Sequence, residues 1–356
     1  MTTFSSNRLI LARKRRCLTF RELAERSGLS PVAVSNIANA KSEPTEDNVR
    51  KLASALGYPP EFFYSPDLEP LAVDQASFRS LSSMTAKARD AALASAPLAM
   101  EVHEWVRERY DLPEVDLPDL QYEDDPFSAA AALREQWGMA AKPVGNLIEL
   151  LEARGVRVYS LSERGKAVDA YSYWHEDEPF VFLNTRKTGE RSRFDAAHEL
   201  AHLVMHRHGG PGGRVAETEA NAFAGAFLMP EQDVRSQLSH VASLSQVIEA
   251  KARWSVSAMA LCYRLNRLGL LTEWQYRRYC IHLRSDLKGV EPAPIERETS
   301  ALWRFVLTDL WQEGSTRSVI SRDLNIPEDE LNALIFGLAN RIEDEPDRSP
   351  GELRVV

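Results

Sequence analysis

A mainly α fold with a small β-sheet, an α+β chain of several domains, is the class this sequence predicts. Three observations predict it. Helix-period apolar spacing, punctuated by caps and turn residues, runs through most of the 356 residues. Strand signals are confined to three short runs that are β-branched or aromatic, Val156 to Leu161, Ala170 to Trp174 and Phe180 to Asn184. The charge is also divided: through Pro60 ten Lys and Arg stand against five Asp and Glu, so that a chain of net charge −9 carries +5 there and −14 elsewhere. A basic segment on an acidic chain points to nucleic acid, because neutralising phosphates supplies most non-specific affinity. The length and a 44% hydrophobic content suffice for two or three cores. The expected divisions are 1–66, 67–127, 128–290 and 291–356.

The first division reads as a five-helix-type helix-turn-helix domain. Thr19-Phe20-Arg21-Glu22 is a capping box that opens the second helix, and Gly28 ends it where the chain turns through positive φ. Ser30 then caps a third helix with Pro31 at its first position, running to about Asn39. Val34 and Ile37 face inward, leaving Val32, Ser35, Asn36 and Asn39 for a major groove. Val32 suits a thymine methyl and Asn36 an adenine, whereas the absence of Arg or Gln from the first turn predicts modest sequence specificity. Arg13, Lys14, Arg15, Arg16 and Lys41 suit phosphate contacts, against the commoner fate of a charge run as a solvated face. A fourth helix follows Thr45, with Val49, Leu52, Ala53 and Leu56 as its buried stripe.

From about Phe78 to Tyr110, Ala-rich periodicity predicts one or two connecting helices broken near Pro97. Asp111 to Pro126, with three prolines and the acidic run Glu123-Asp124-Asp125, reads as a linker. Helices return at about Ser128 to Trp137 and Val144 to Arg154, followed by the three strands. A sheet edge there can accept an extended peptide as a further strand.

Next comes His198-Glu199-Leu200-Ala201-His202 in an apolar band formed by Phe194, Ala197, Ala201, Leu203, Val204 and Met205, with Asp195 near the expected helix start. Helical residues four apart share a face, so both imidazoles can converge on one zinc ion while Glu199 supplies a general base. Such a site takes a third protein ligand and leaves a fourth position for water. Two residues compete for that place. Glu217 lies on a second helix after the Gly-rich turn 208–213, with Asn221 one turn on as a hydrogen-bonding support for a ligand. Glu219 points about 200° away around that helix and is the weaker choice. His208 has metzincin spacing, but metzincins require Gly where this chain has Met205. The Gly-rich turn lacks a preceding strand and a following Lys-Ser/Thr, so it is a connector and no phosphate loop. Tyr171, Tyr173, His206 and His208 are candidate oxyanion donors.

Beyond Pro230 the pattern is helical at 247–254 and 257–269. Three more helices are expected at 299–310, 316–324 and 328–338, forming a packing or dimerising module with a disordered tail from Asp344. No stretch is apolar enough to span a bilayer, and Met1-Thr2-Thr3-Phe4 opens no signal peptide, so a cytoplasmic protein without membrane contact is expected. Cys17, Cys262 and Cys280 are scattered and odd in number, as reduced core residues are.

The run from Arg193 to His202, followed by Glu217 to Ala224 and Leu228-Met229-Pro230, resembles the ImmA/IrrE family of metallopeptidases. The N-terminal segment resembles the Xre/Cro-like helix-turn-helix domain. Together these cover most of 8–60 and 144–268, and the ordered pair is more specific than either motif. The resemblance implies one Zn2+ per chain on His198, His202 and Glu217, with Glu199 as base. It further implies a bacterial, plasmid or phage protein that cleaves a helix-turn-helix repressor to switch on mobile-element or stress-response genes. Here the chain carries its own DNA-binding segment, so double-stranded DNA is an expected partner and the substrate is a separate protein or the chain itself. Two competing functions carry the same segments: a transcription factor whose metallopeptidase-like fold only senses a ligand or dimerises, and an antitoxin-type protein that binds a toxin. A homodimer suits a two-fold operator.

Overall fold

The computed structural model describes residues 3–72, 85–123, 125–161, 169–208, 213–285, 290–335 and 337–339. Four helices, α1 Ser6–Arg15, α2 Phe20–Ser27, α3 Pro31–Ala38 and α4 Glu46–Leu56, and a 3₁₀ turn Pro60–Tyr64 form the N-terminal unit. Its turns follow from side chains. Thr19 and Glu22 complete a reciprocal capping box, Gly28 sits left-handed at φ 67°, and Ser30 accepts from the Ala33 N–H with Pro31 in the first turn. Leu9, Leu23, Val34, Leu52 and Phe62 fill the core.

Two helices follow, α5 Ala86–Leu93 and α6 Ser95–Arg107. The break falls at Ala94. Pro97 stands in the first turn of α6, where its missing N–H would have found no intrahelical partner in any case, so it interrupts nothing. The expected linker is packed chain. Leu120 is buried and donates its N–H to the Val204 carbonyl at 2.7 Å, Asp116 donates to the Arg154 carbonyl at 3.0 Å, and the Trp137 indole donates back to the Asp116 carbonyl at 3.1 Å. Gly155 (φ 79°) permits this, since a Cβ there would lie 2.5 Å from the Glu114 carbonyl oxygen. Asp125, from the acidic run, caps α7 Pro126–Gln136.

After α8 Leu147–Ala153 come β1 Arg157–Leu161, β2 Ala170–His175 and β3 Glu178–Asn184, in the order β1-β3-β2. β1 runs parallel to β3 and β2 antiparallel, with Ser172 opposite Val181. Side chains alternate across β2. Ser172 and Trp174 face α9 Gly189–Met205, on Glu199 and the Leu203 carbonyl, so Tyr171 and Tyr173 face the opposite side, where Tyr171 donates to the Ala92 carbonyl at the α5–α6 junction. The sheet therefore lies between α9 and the α5–α6 pair. α9 packs on α10 Arg214–Leu228, which in turn packs on α7.

α9 begins six residues before Asp195, at a cap supplied by Thr188. Beyond α10 lie α11 Glu231–Gln237, α12 Leu244–Ala250 with a 3₁₀ turn Lys251–Arg253, α13 Ala258–Arg267 and α14 Glu273–Ser285. α14 was not expected: its buried stripe is thin, Tyr279 and Leu283, while Trp274 and Ile281 face outward, which blurs the helical period. The C-terminal helices are α15 Ala301–Gln312, α16 Ser318–Asp323 and α17 Glu328–Ile335. α17 packs on β1 and reaches the N-terminal unit, where Glu330 meets Arg15 at 2.8 Å and Asp329 meets Arg16 at 2.6 Å. The expected tail from Asp344, most of the Gly-rich turn and the start of the connector at Phe78 lie outside the described residues.

Candidate functional site

α9 is fixed before it reaches the site. Buried Glu190 pairs with buried Lys251 at 2.9 Å, and the Arg193 guanidinium donates to the carbonyls of Gly145 at 2.6 Å and Val144 at 2.7 Å and pairs with Glu298. One turn later His198 and His202 share a face with their Nε2 atoms 3.1 Å apart. Glu217, in the first turn of α10, brings Oε2 to 3.3 Å from His198 Nε2 and Oε1 to 3.5 Å from His202 Nε2.

Those spacings test the fit to a metal. Donors bound tetrahedrally to zinc at about 2.0–2.1 Å are separated by about 3.3 Å, and the three separations here bracket that value. Two imidazoles and a carboxylate are also the donor set zinc favours. His198, His202 and Glu217 thus form a group able to hold a cation. Burial works against the Glu217 carboxylate, but hydrogen bonds and charge from His198 and His202 outweigh it and hold its pKa at about 2. Burial likewise opposes an imidazolium at His198, yet Glu217, Glu199 and Asp195 together raise its pKa above the ordinary value. Glu199 is buried beside the cluster, where the Ser172 hydroxyl donates to Oε2 at 2.7 Å.

Several expectations are corrected. Asn221 donates to the backbone carbonyl of Glu217 at 2.7 Å, so its amide hydrogen bond goes to the main chain of α10 one turn back. His208, disfavoured as a ligand from the sequence, is exposed, 3.5 Å from Asp119, and stands outside the ligand group. Tyr171 and Tyr173 lie on the wrong face of β2 to donate to an oxyanion. Glu219 does not point away from the site's surroundings: its Oε2 is 3.0 Å from His206 Nε2, and His206 Nδ1 is 3.0 Å from His202 Nδ1. A helical wheel fixes only the direction of Cβ, whereas His206 leaves helical geometry at the end of α9 (φ −122°, ψ 19°) and meets the long Glu219 side chain. His206, Glu219 and Ser172 were thus missed in these roles. The recurrence of His at 198, 202 and 206 was the available signal for the first. A second acidic group, His103, Glu104 and Glu178, already contains Arg157 at 3.1 Å from Glu178, which balances its charge.

On α3, Val32 is 68% exposed and Ser35 and Asn36 are half-buried, while Asn39 and Lys41, just past its end, are exposed. The Asn39 amide donates to the Ser35 carbonyl at 2.7 Å, its own helix taking that donor. The basic run on α1 is not a free phosphate stripe. Arg13 lies over the Phe20 ring at 4.3 Å and donates to the Leu18 carbonyl, while Arg15 and Arg16 are taken by Glu330 and Asp329. Charge periodicity could not reveal partners more than 300 residues distant.

A family model for the IrrE N-terminal-like domain, a peptidase family, matches residues 151–266, and a helix-turn-helix model matches residues 9–63. No curated protein matches the chain. The two matches bear out both resemblances in the expected order, and the first spans His198, Glu199, His202 and Glu217. The chain joins a helix-turn-helix DNA-binding domain to a metallopeptidase-like domain. No helix among the described residues is long and apolar enough to cross a membrane.

Proposed function

We propose that this chain is a cytoplasmic, DNA-bound regulator that carries a working zinc endopeptidase, with a separate helix-turn-helix repressor, another protein partner or its own chain as substrate. In this reading residues 1–66 bind DNA, 67–127 connect, 128–290 carry the peptidase and 291–356 tie the units together, and a homodimer reads a two-fold operator. The observation that carries it is the convergence of His198, His202 and Glu217 within 4.8 Å, with Glu199 beside them.

When bound, Zn2+ supplies Lewis acidity, polarising a peptide carbonyl and making water acidic near pH 7. The chain's own residues do the rest. Glu199 takes the proton from the attacking water and returns it to the leaving amine, a general-base then general-acid role. Ser172 donates to the Glu199 carboxylate at Oε2 and so orients it for that proton transfer. Among the described residues β2 lies at the end of the sheet order, the kind of position at which an extended peptide is aligned by main-chain hydrogen bonds.

Comparing new protein N-termini in cells that express the wild type or Glu199→Gln tests the proposal. The expected result is a neo-N-terminus inside a helix-turn-helix protein or inside this chain that needs Glu199. Identical sets of N-termini, with zinc bound, favour the sensor reading. One observation favours that second reading: α17 packs on β1 and its Glu330 pairs with Arg15 of α1, a direct physical link between the sheet and the DNA-binding unit.

A further inference from the structure

We propose that His206 and Glu219 are positioning residues that fix His202 for metal capture and raise the affinity of the chain for a divalent ion. The inference rests on the reading of His198, His202 and Glu217 as ligands, and it follows from where protons must sit.

His202 offers Nε2 to the ligand cluster, since that atom lies 3.1 Å from His198 Nε2 and 3.5 Å from Glu217. A neutral imidazole that coordinates through Nε2 carries its proton on Nδ1. His202 Nδ1 lies 3.0 Å from His206 Nδ1, so His206 accepts there and carries its own proton on Nε2. That Nε2 lies 3.0 Å from Glu219 Oε2, a carboxylate able only to accept while ionised. One placement of two protons therefore satisfies every contact from carboxylate to ligand. The two rings are tilted by 52° with centroids 5.0 Å apart, and the His206 side chain is 8% exposed, so water competes little for these bonds.

The arrangement does two things for the cluster. It removes ring rotation at His202, whose imidazole would otherwise be free to turn Nε2 away, and it places negative charge behind the ligand, which increases the electron density offered at Nε2. Outer partners of this kind are worth about 10- to 100-fold in metal affinity. His206 is no ligand itself, because it meets the Nδ1 side of His202, away from Glu217, and stands outside the converging donors.

The test uses the full chain, loaded with Zn2+ against a chromophoric chelator and, separately, with Co2+ for its visible spectrum. His206→Ala is expected to bind Zn2+ about 10- to 100-fold more weakly and to shift the Co2+ bands, with unchanged circular dichroism. His206→Asn, whose Oδ1 takes the place of Nδ1 as acceptor, recovers part of the loss. Glu219→Gln, at a half-exposed position that tolerates change, also weakens binding. Wild-type Zn2+ affinity and Co2+ spectra in all three variants overturn the positioning role. A wild-type chain that binds neither ion overturns the ligand reading beneath it.

Discussion

Glu330 and Asp329 are neighbours on α17, Glu330 meeting both Arg15 and Arg16 and Asp329 meeting Arg16, yet their surroundings set very different costs for substitution. The Glu330 side chain is 3% exposed against Arg15 at 6%, with Arg15 Nη2 at 2.8 Å and Nε at 2.9 Å from Oε2 and Arg16 Nη1 at 3.2 Å from Oε1. Glu330→Gln keeps the shape and one acceptor but leaves a buried guanidinium without its countercharge. Breaking such a pair costs about 3–5 kcal/mol, and the retained acceptor places this case near the lower figure. At about 1.4 kcal/mol per tenfold, about 3 kcal/mol is on the order of 100-fold in the opening equilibrium. Asp329 is 63% exposed, so Asp329→Asn costs at most about 1 kcal/mol. Native-state hydrogen exchange of the α17 and α1 amides reads both. Glu330→Gln is expected to lower their protection on the order of 100-fold and Asp329→Asn less than about tenfold. Equal losses in the two variants, or none at Glu330→Gln, would refute the claim that a buried ion pair fastens the C-terminal helix to the DNA-binding unit.

Three further outcomes follow from the site and from α3. Glu199→Gln retains its metal and loses about 10²–10⁴-fold in peptide hydrolysis, and a variant that keeps its rate removes Glu199 as the base. Glu217 stays ionised down to about 2 while its hydrogen bond raises the proton affinity of His198. Protons thus compete with metal at the imidazoles: Zn2+ affinity is full at alkaline pH and falls as pH drops through the raised His198 pKa. Titrations at constant ionic strength check the sign, and an affinity that rises on acidification contradicts it. Removing residues 1–64 abolishes duplex DNA binding whereas His198→Ala preserves it, and a truncated chain with the original salt slope would show that DNA is held elsewhere.

What was legible in the sequence was local. Thr19, Gly28, Ser30 and Pro31 dictate their own turns, so the helix-turn-helix elements fell within a residue or so of expectation. His198, Glu199 and His202 owe their relation to one helix, and Glu217 to a helix soon after it. What stayed hidden depends on partners distant in the chain. Whether Arg15 meets phosphate or Glu330 is decided by where α17 docks, and the packing of 111–120 by Leu120 reaching the Val204 carbonyl. The side of β2 on which Tyr173 lies is set by the register with β3 and by Ser172 on Glu199. Asn221 shows the same limit: its spacing from Glu217 is that of a ligand's support, yet its amide is taken by the backbone one turn back.

Metal analysis of the full chain, combined with X-ray absorption at the metal edge, addresses the central claim most directly. The account predicts about one zinc per chain, bound by two imidazole nitrogens and a carboxylate oxygen at about 2.0–2.2 Å, and lost in Glu217→Ala. A chain that takes up no divalent ion, or one whose ion stays in place with unchanged coordination in Glu217→Ala, contradicts it.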